Sequence, residues 1–197
     1  MTLLVLTAPS GAGKSTIARR LMAEMPGLRF SVSATTRAPR EGEEPDVHYH
    51  FLTREAFEQR LAAGDFLEYE EVYPGRFYGT LRPELEALAS SEGVRAVVLD
   101  IDVKGALNVK RLYGDAALTL FVAPPSLDAL ADRLRARGTE SDEQVAVRLK
   151  RAEMEMTHAD AFDVCVVNDD LEAAIAETVE AVRSFLAVRE QAERGDR

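Results

Sequence analysis

Between the apolar run Leu3-Leu4-Val5-Leu6 and a helix-period segment starting near Lys14 lies Ala8-Pro9-Ser10-Gly11-Ala12-Gly13-Lys14-Ser15, followed by Thr16. Glycines at 11 and 13 let backbone N–H groups turn inward around phosphate oxygens, and the start of the helix adds partial positive charge. Lys14 can bridge the β- and γ-phosphates of a nucleoside triphosphate, and the Ser15 hydroxyl can ligate Mg²⁺. Ala8 stands where the usual pattern has its first glycine, which matters only if that position needs positive φ. The competing reading is a glycine-rich turn with a coincidental lysine. The strand before it and the helix after it favour a triphosphate cradle spanning Ala8 to Thr16.

Other residues could work with that loop. Val97-Val98-Leu99-Asp100-Ile101-Asp102 puts a carboxylate at the carboxyl end of a buried strand, the edge where open parallel sheets bind ligands. Asp100 could hold Mg²⁺ directly or through water, and Asp102, two residues on, faces the same side. Arg133 and Arg137 lie four apart on one helix face, with Arg148 on a following helix; an exposed helix laced with ion pairs is the bland alternative. His48, His50 and His158 form no metal-ligand spacing.

These residues need elements to hold them. Leu3–Thr7, Val94–Leu99, Ala117–Val122 and Val164–Val167 read as buried strands separated by helices, among them about Lys14–Met25 and Leu171–Arg189. That pattern implies a parallel sheet covered on both faces. Cys165, inside the last apolar run, reads as a small core residue. Ser126 is the expected N-cap of a helix, and the tail after Glu190 is expected to fray. From about Val32 to Pro83 the chain is richer in Tyr, Phe, Gly and Pro. Pro74-Gly75 turns Phe66–Tyr73 back onto Phe77–Tyr78, so a small mixed or antiparallel insert is expected. From about Ser126 to Asp160 the chain is helical, arginine-rich and broken at Gly138-Thr139, as a helical flap would be.

Composition narrows the function classes. A chain of 197 residues with 46% hydrophobic and 29% charged residues suits one globular domain, not a disordered one. A net charge of -10 argues against gripping duplex nucleic acid, yet leaves room for a locally positive pocket. The single cysteine excludes an internal disulfide. No stretch approaches the roughly 20 apolar residues of a membrane span, so the expectation is a cytoplasmic protein without membrane or nucleic-acid partners, a monomer or homodimer.

The most informative run is Phe30-Ser31-Val32-Ser33-Ala34-Thr35-Thr36-Arg37-Ala38-Pro39-Arg40-Glu41-Gly42-Glu43. After it come Tyr49-His50-Phe51, Phe66-Leu67-Glu68, Tyr78-Gly79-Thr80, the Leu-Asp-Ile-Asp strand end and the Arg-Gly-Thr of the flap. With this ordered set, nearly the whole chain resembles the guanylate kinase family. The resemblance implies a three-layer α/β fold of the P-loop NTPase kind, with a central parallel sheet, a mixed α/β GMP-binding insert and a helical lid. The expected parts are a core of residues 1–31, 84–125 and 161–197, the insert 32–83 and the lid 126–160. The implied reaction is transfer of the γ-phosphoryl group of ATP to GMP, with dGMP also accepted and Mg²⁺ required.

The roles the resemblance implies agree with residue chemistry. Arg37 and Arg40 offer planar forks to a monophosphate, and Tyr49 and Tyr78 add hydroxyl donors. Glu68 is the implied base reader, because guanine presents N1–H and the N2 amine side by side to one carboxylate. Ser33 and Thr80 could donate to O6, and Asp102 could help hold the base. Arg133, Arg137 and Arg148 correspond to arginines that contact phosphates of both nucleotides, and with Lys14 and Arg37 make the implied catalytic set. Asn168 either reads adenine through its amide or starts the next helix. No general base is needed, since the acceptor is already a dianion. The chain departs from the family pattern at Ala8, at His48, where aspartate is common, and at Lys104, near a common glutamine. A related sugar-phosphate kinase would need no guanine reader, and a non-catalytic scaffold module would usually have lost the intact Gly13-Lys14-Ser15.

Overall fold

The computed structural model describes residues 1–136 and 141–195. The chain divides into two compact units, Met1–Val5 with Gly27–Ala117, and Leu6–Pro26 with Leu118–Arg197. The expected insert lies wholly in the first and the expected lid in the second, while the expected core contributes to both. A five-stranded sheet has the order β2-β7-β1-β8-β9. Its β1 (Leu3–Thr7) is buried along its whole length, which is why it reads as an unbroken apolar run rather than an alternating one.

In the first unit, β2 (Leu28–Phe30) pairs in parallel with β7 (Ala96–Asp100), Leu28 opposite Ala96. A second, four-stranded sheet has the order β4-β3-β6-β5. Here β3 (Ala34–Thr35) runs parallel to β4 (His50–Phe51) and antiparallel to β6 (Arg76–Leu81). The expected hairpin is present: β5 (Phe66–Tyr73) pairs antiparallel with β6, closing at Tyr73 opposite Arg76. Helix α2 (Arg54–Ala62) is capped by Thr53, whose side chain accepts from the Ala56 N–H at 3.1 Å. Its Phe57 is buried with Ala34, Phe66 and Leu81 and stacks on the Phe66 ring at 4.3 Å between centroids. This small core fixes the hairpin that carries Glu68, Tyr78 and Thr80. Helices α3 (Arg82–Ala89) and α4 (Val103–Tyr113) follow the hairpin and β7, and Asp102 caps α4.

In the second unit, α1 (Lys14–Glu24) follows β1, and β8 (Ala117–Ala123) pairs in parallel with β9 (Val164–Val167). Helices α5 (Leu127–Ala136) and α6 (Asp142–Met156) bury Leu130, Leu134, Val145 and Ala152 in a cluster of their own. Ser126 starts α5 as expected, accepting from the Ala129 N–H at 3.0 Å. Ser141 and Gln144 form a reciprocal capping box on α6. The Gly138-Thr139 break and Arg137 lie outside the described residues.

Two expectations need correcting. The run at β9 is not a buried strand: it lies at the sheet edge, only Val166 is buried, and Cys165 is exposed instead of packed in the core. An edge strand covered on one face shows the same short apolar run as a central one, so composition could not separate them. The tail after Glu190 does not fray at once, because α7 (Leu171–Gly195) continues through it.

Candidate functional site

The phosphate-loop residues sit where β1 gives way to α1. Gly11 and Gly13 have φ of 98° and 103°, the left-handed region closed to most side chains. Gly13 caps α1 in that conformation, and its carbonyl accepts from the N–H groups of Thr16 and Ile17 at 3.0 and 3.1 Å. Ala8 stands at no positive φ, since Asp46 is the one non-glycine residue of that kind among those described. Alanine therefore meets the backbone requirement there. Pro9 and Ala12 are buried and joined by a 3.0 Å bond from the Ala12 N–H to the Pro9 carbonyl. Lys14 and Thr16 are half-buried, while Ser10 and Ser15 are exposed. The first turn of α1 carries the positive end of its dipole.

Asn168 locks this loop. It is buried, and its amide Nδ2 donates to the Ala12 carbonyl at 2.7 Å. A Cβ on Gly13 would fall 2.2 Å from that nitrogen, so position 13 excludes a side chain on steric as well as conformational grounds. Two arginines of the helical segment reach the same place. Arg133 donates to the Asn168 carbonyl at 2.9 Å, and Arg148 bonds the Ser10 hydroxyl. Thus residues read separately as loop, flap and strand end form one connected group within the second unit.

The acceptor-side residues gather in the first unit. Arg37 is buried; its fork holds Glu43 through two bonds of 2.6 and 2.8 Å, and its Nε donates to the Tyr78 hydroxyl at 3.2 Å. Its guanidinium also lies 5.0 Å from the centre of the Tyr49 ring. Hydrogen bonding from Arg37 holds the Glu43 carboxyl down at about 2. Burial, reinforced by the Asp100 charge, raises the Tyr49 phenol, whose ring meets that of Tyr78 edge-on at 5.9 Å. Arg40 is exposed, and its backbone N–H also donates to Glu43. Glu43 was not singled out from sequence. Its six-residue spacing from Arg37 carried no regular period, and only the folded loop brings the pair together.

Glu68 and Thr80 stand opposite one another on β5 and β6. Glu68 is buried, and Thr80 donates its hydroxyl to the carboxylate at 2.7 Å. Burial pushes this carboxyl up to about 7, against the Thr80 hydrogen bond and with a smaller contribution from the charge of Asp102. Ser33 is half-buried, and its carbonyl ties β4 by accepting from His50 N–H at 3.0 Å. Asp100 and Asp102 are half-buried at the start of the α4 turn. Of the departures from the family pattern, His48 accepts from the Glu44 N–H at 3.0 Å through Nδ1, shaping the loop much as a short carboxylate would. Lys104 pairs with Glu70.

A family model described as guanylate kinase matches residues 1–185. The chain belongs to the guanylate kinase family. Relatives of that name agree: the guanylate kinase of Salinibacter ruber is 60% identical over 185 residues, 94% of this chain and 97% of that protein. The guanylate kinase of Bacteroides thetaiotaomicron is 50% identical over 93% of this chain and 89% of its own length. The crystal structure of guanylate kinase from Anaplasma phagocytophilum matches with a TM-score of 0.72 and 34% identity, covering 95% of this chain and 85% of that one. Membership in the guanylate kinase family accords with the α/β architecture and with the phosphate loop that follows β1.

Proposed function

We propose that this chain transfers the γ-phosphoryl group of ATP to GMP, and to dGMP, giving ADP and GDP or dGDP. The observation that carries the choice of base is the buried Glu68 carboxylate steadied by Thr80. In its ionised form it accepts from guanine N1–H and the N2 amine together. Adenine offers a lone pair at N1 and no amine at C2, so a buried acceptor would face an acceptor. Such mismatches separate substrates by roughly 10⁴-fold or more. Ser33 and Asp102 complete the base contacts, and Arg37, Arg40, Tyr49 and Tyr78 hold the acceptor phosphate.

On the donor side, Ala8–Thr16 cradle the triphosphate, Lys14 neutralises its β- and γ-oxygens, and Asn168 keeps the loop in shape. Arg133, Arg137 and Arg148 supply further cations for the charge that spreads over the transferring group. An oxygen of the GMP phosphate forms the new bond to the γ-phosphorus, and the bond to the β–γ bridging oxygen breaks, leaving its electron pair on ADP. The acceptor is already a dianion near neutral pH, so no side chain has to remove a proton. Mg²⁺ would neutralise phosphate charge; the Ser15 hydroxyl and the Asp100 carboxylate are hard oxygen donors of the type this ion takes alongside phosphates and water. Among the described residues no helix is long and apolar enough to cross a membrane. A cytoplasmic setting is part of the proposal, resting on nucleotide substrates and a lone cysteine.

A coupled assay of ADP release with GMP, AMP, UMP and CMP tests this reading. Turnover is expected with GMP and to be slower by orders of magnitude with the rest. Equal rates with AMP, or none with GMP, would defeat it.

A further inference from the structure

Helix α4 carries a glycine, Gly105, in its first turn, where helix propensity favours almost any other residue. Its backbone does not demand glycine, for Gly105 is absent from the positions of positive φ. What it does demand is space. A Cβ built at Gly105 would lie 2.6 Å from Oε2 and 3.2 Å from Cδ of Glu68, while its next contact, Ile101, is ordinary at 3.4 Å. The Glu68 carboxylate thus lies directly against the bare backbone of this turn, held from its other side by Thr80. The same residue also donates its N–H to Asp102 Oδ1 at 2.8 Å, fixing the second acidic side chain of the pocket.

We propose that Gly105 is a specificity-determining positioning residue: its missing side chain leaves the room in which Glu68 seats its carboxylate for guanine. The inference rests on the reading of Glu68 as the guanine acceptor. A methyl group at 105 meets the far end of a side chain, not backbone, so the helix stays and the carboxylate moves. Glu68 would then lose its register with both Thr80 and the base, although Gly105 itself touches no substrate. A purely structural glycine would behave otherwise, because alanine in its place would disturb folding and leave guanine recognition alone.

The test compares Gly105→Ala, Glu68→Ala and the double variant in steady-state kinetics and thermal melts. Gly105→Ala is expected to raise KM for GMP about tenfold or more, the scale of a displaced hydrogen-bonding partner. KM for ATP should be unchanged, and any fall in melting temperature should be no larger than that of Glu68→Ala, which loses the same bond to Thr80. In the Glu68→Ala background, the second change should add nothing to KM for GMP. The inference is overturned if Gly105→Ala keeps the parental KM while Glu68→Ala does not, if the two effects multiply, or if Gly105→Ala mainly lowers the melting temperature. Should Glu68→Ala itself leave KM for GMP untouched, the guanine reading fails first and this inference with it.

Discussion

At the scale of single residues, Glu68 links burial to substrate choice in a way that pH exposes. Its carboxyl is pushed from about 4.5 up to about 7 by burial, so near neutrality the free protein holds a proton there part of the time. Guanine donors bind the ionised form, so GMP affinity should rise with pH through about 7 and level off beyond it. The second ionisation of a phosphate monoester, near pH 6, acts in the same direction. Glu68→Gln separates the two: in isothermal titration it should bind GMP weakly and keep only the lower-pH transition. An unchanged profile would show that Glu68 is not the titrating group. Without ligand the sign reverses. Between about 4.5 and 7 the folded chain binds more protons than the unfolded one, so this residue's contribution to stability falls as pH rises through that window. Lys14 gives a simpler expectation: Lys14→Ala should abolish turnover and leave GMP binding intact, and near-parental rates would refute its phosphate role. The types and order of these residues could be read in the sequence. The grip of Arg37 on Glu43 and the seat of Glu68 against Gly105 could not, since both depend on segments brought together only by folding.

At the scale of elements, the long apolar strands β1, β7 and β8 and the β5–β6 hairpin were legible because burial leaves an apolar run and a Pro-Gly turn leaves a signature. The two- and three-residue strands β2 and β3 were not, for they are too short to show a period. Nor was the tie between Asn168 and the phosphate loop, whose partners stand 156 positions apart. That tie makes loop shape depend on the end of β9. Asn168→Ala removes the donor to the Ala12 carbonyl and leaves a buried acceptor unpaired, which costs about 1–3 kcal/mol. The expected result is a lower melting temperature together with a raised KM for ATP and a KM for GMP close to the parent's. A change confined to GMP kinetics would mean that Asn168 does not support the donor loop. Gly13→Ala should be worse still, since it meets the same amide and an unfavourable φ at once.

At the scale of the whole molecule, net charge and nucleotide chemistry look opposed until the charges are located. The chain carries -10 overall, yet the charged side chains assigned to phosphate are arginines and a lysine, of which Arg37 is held in place by Glu43 and Arg133 by the Asn168 carbonyl. A binding field needs only local excess, so an acidic protein can still collect polyphosphates. The two compact units also sort the assignments: base and acceptor-phosphate residues fall in the first, and the triphosphate loop with its arginines in the second. Ligands slow amide exchange where they suppress local opening, so each nucleotide should leave its own footprint. GMP alone is expected to protect residues 33–80 and the first turn of α4, and ATP with Mg²⁺ residues 8–16 and the last turn of α5. Hydrogen exchange read by mass spectrometry can resolve the two patterns. Protection of the phosphate loop by GMP alone, or of the β5–β6 hairpin by ATP alone, would reverse the assignment of donor and acceptor, because the loop belongs to the second unit and the hairpin to the first.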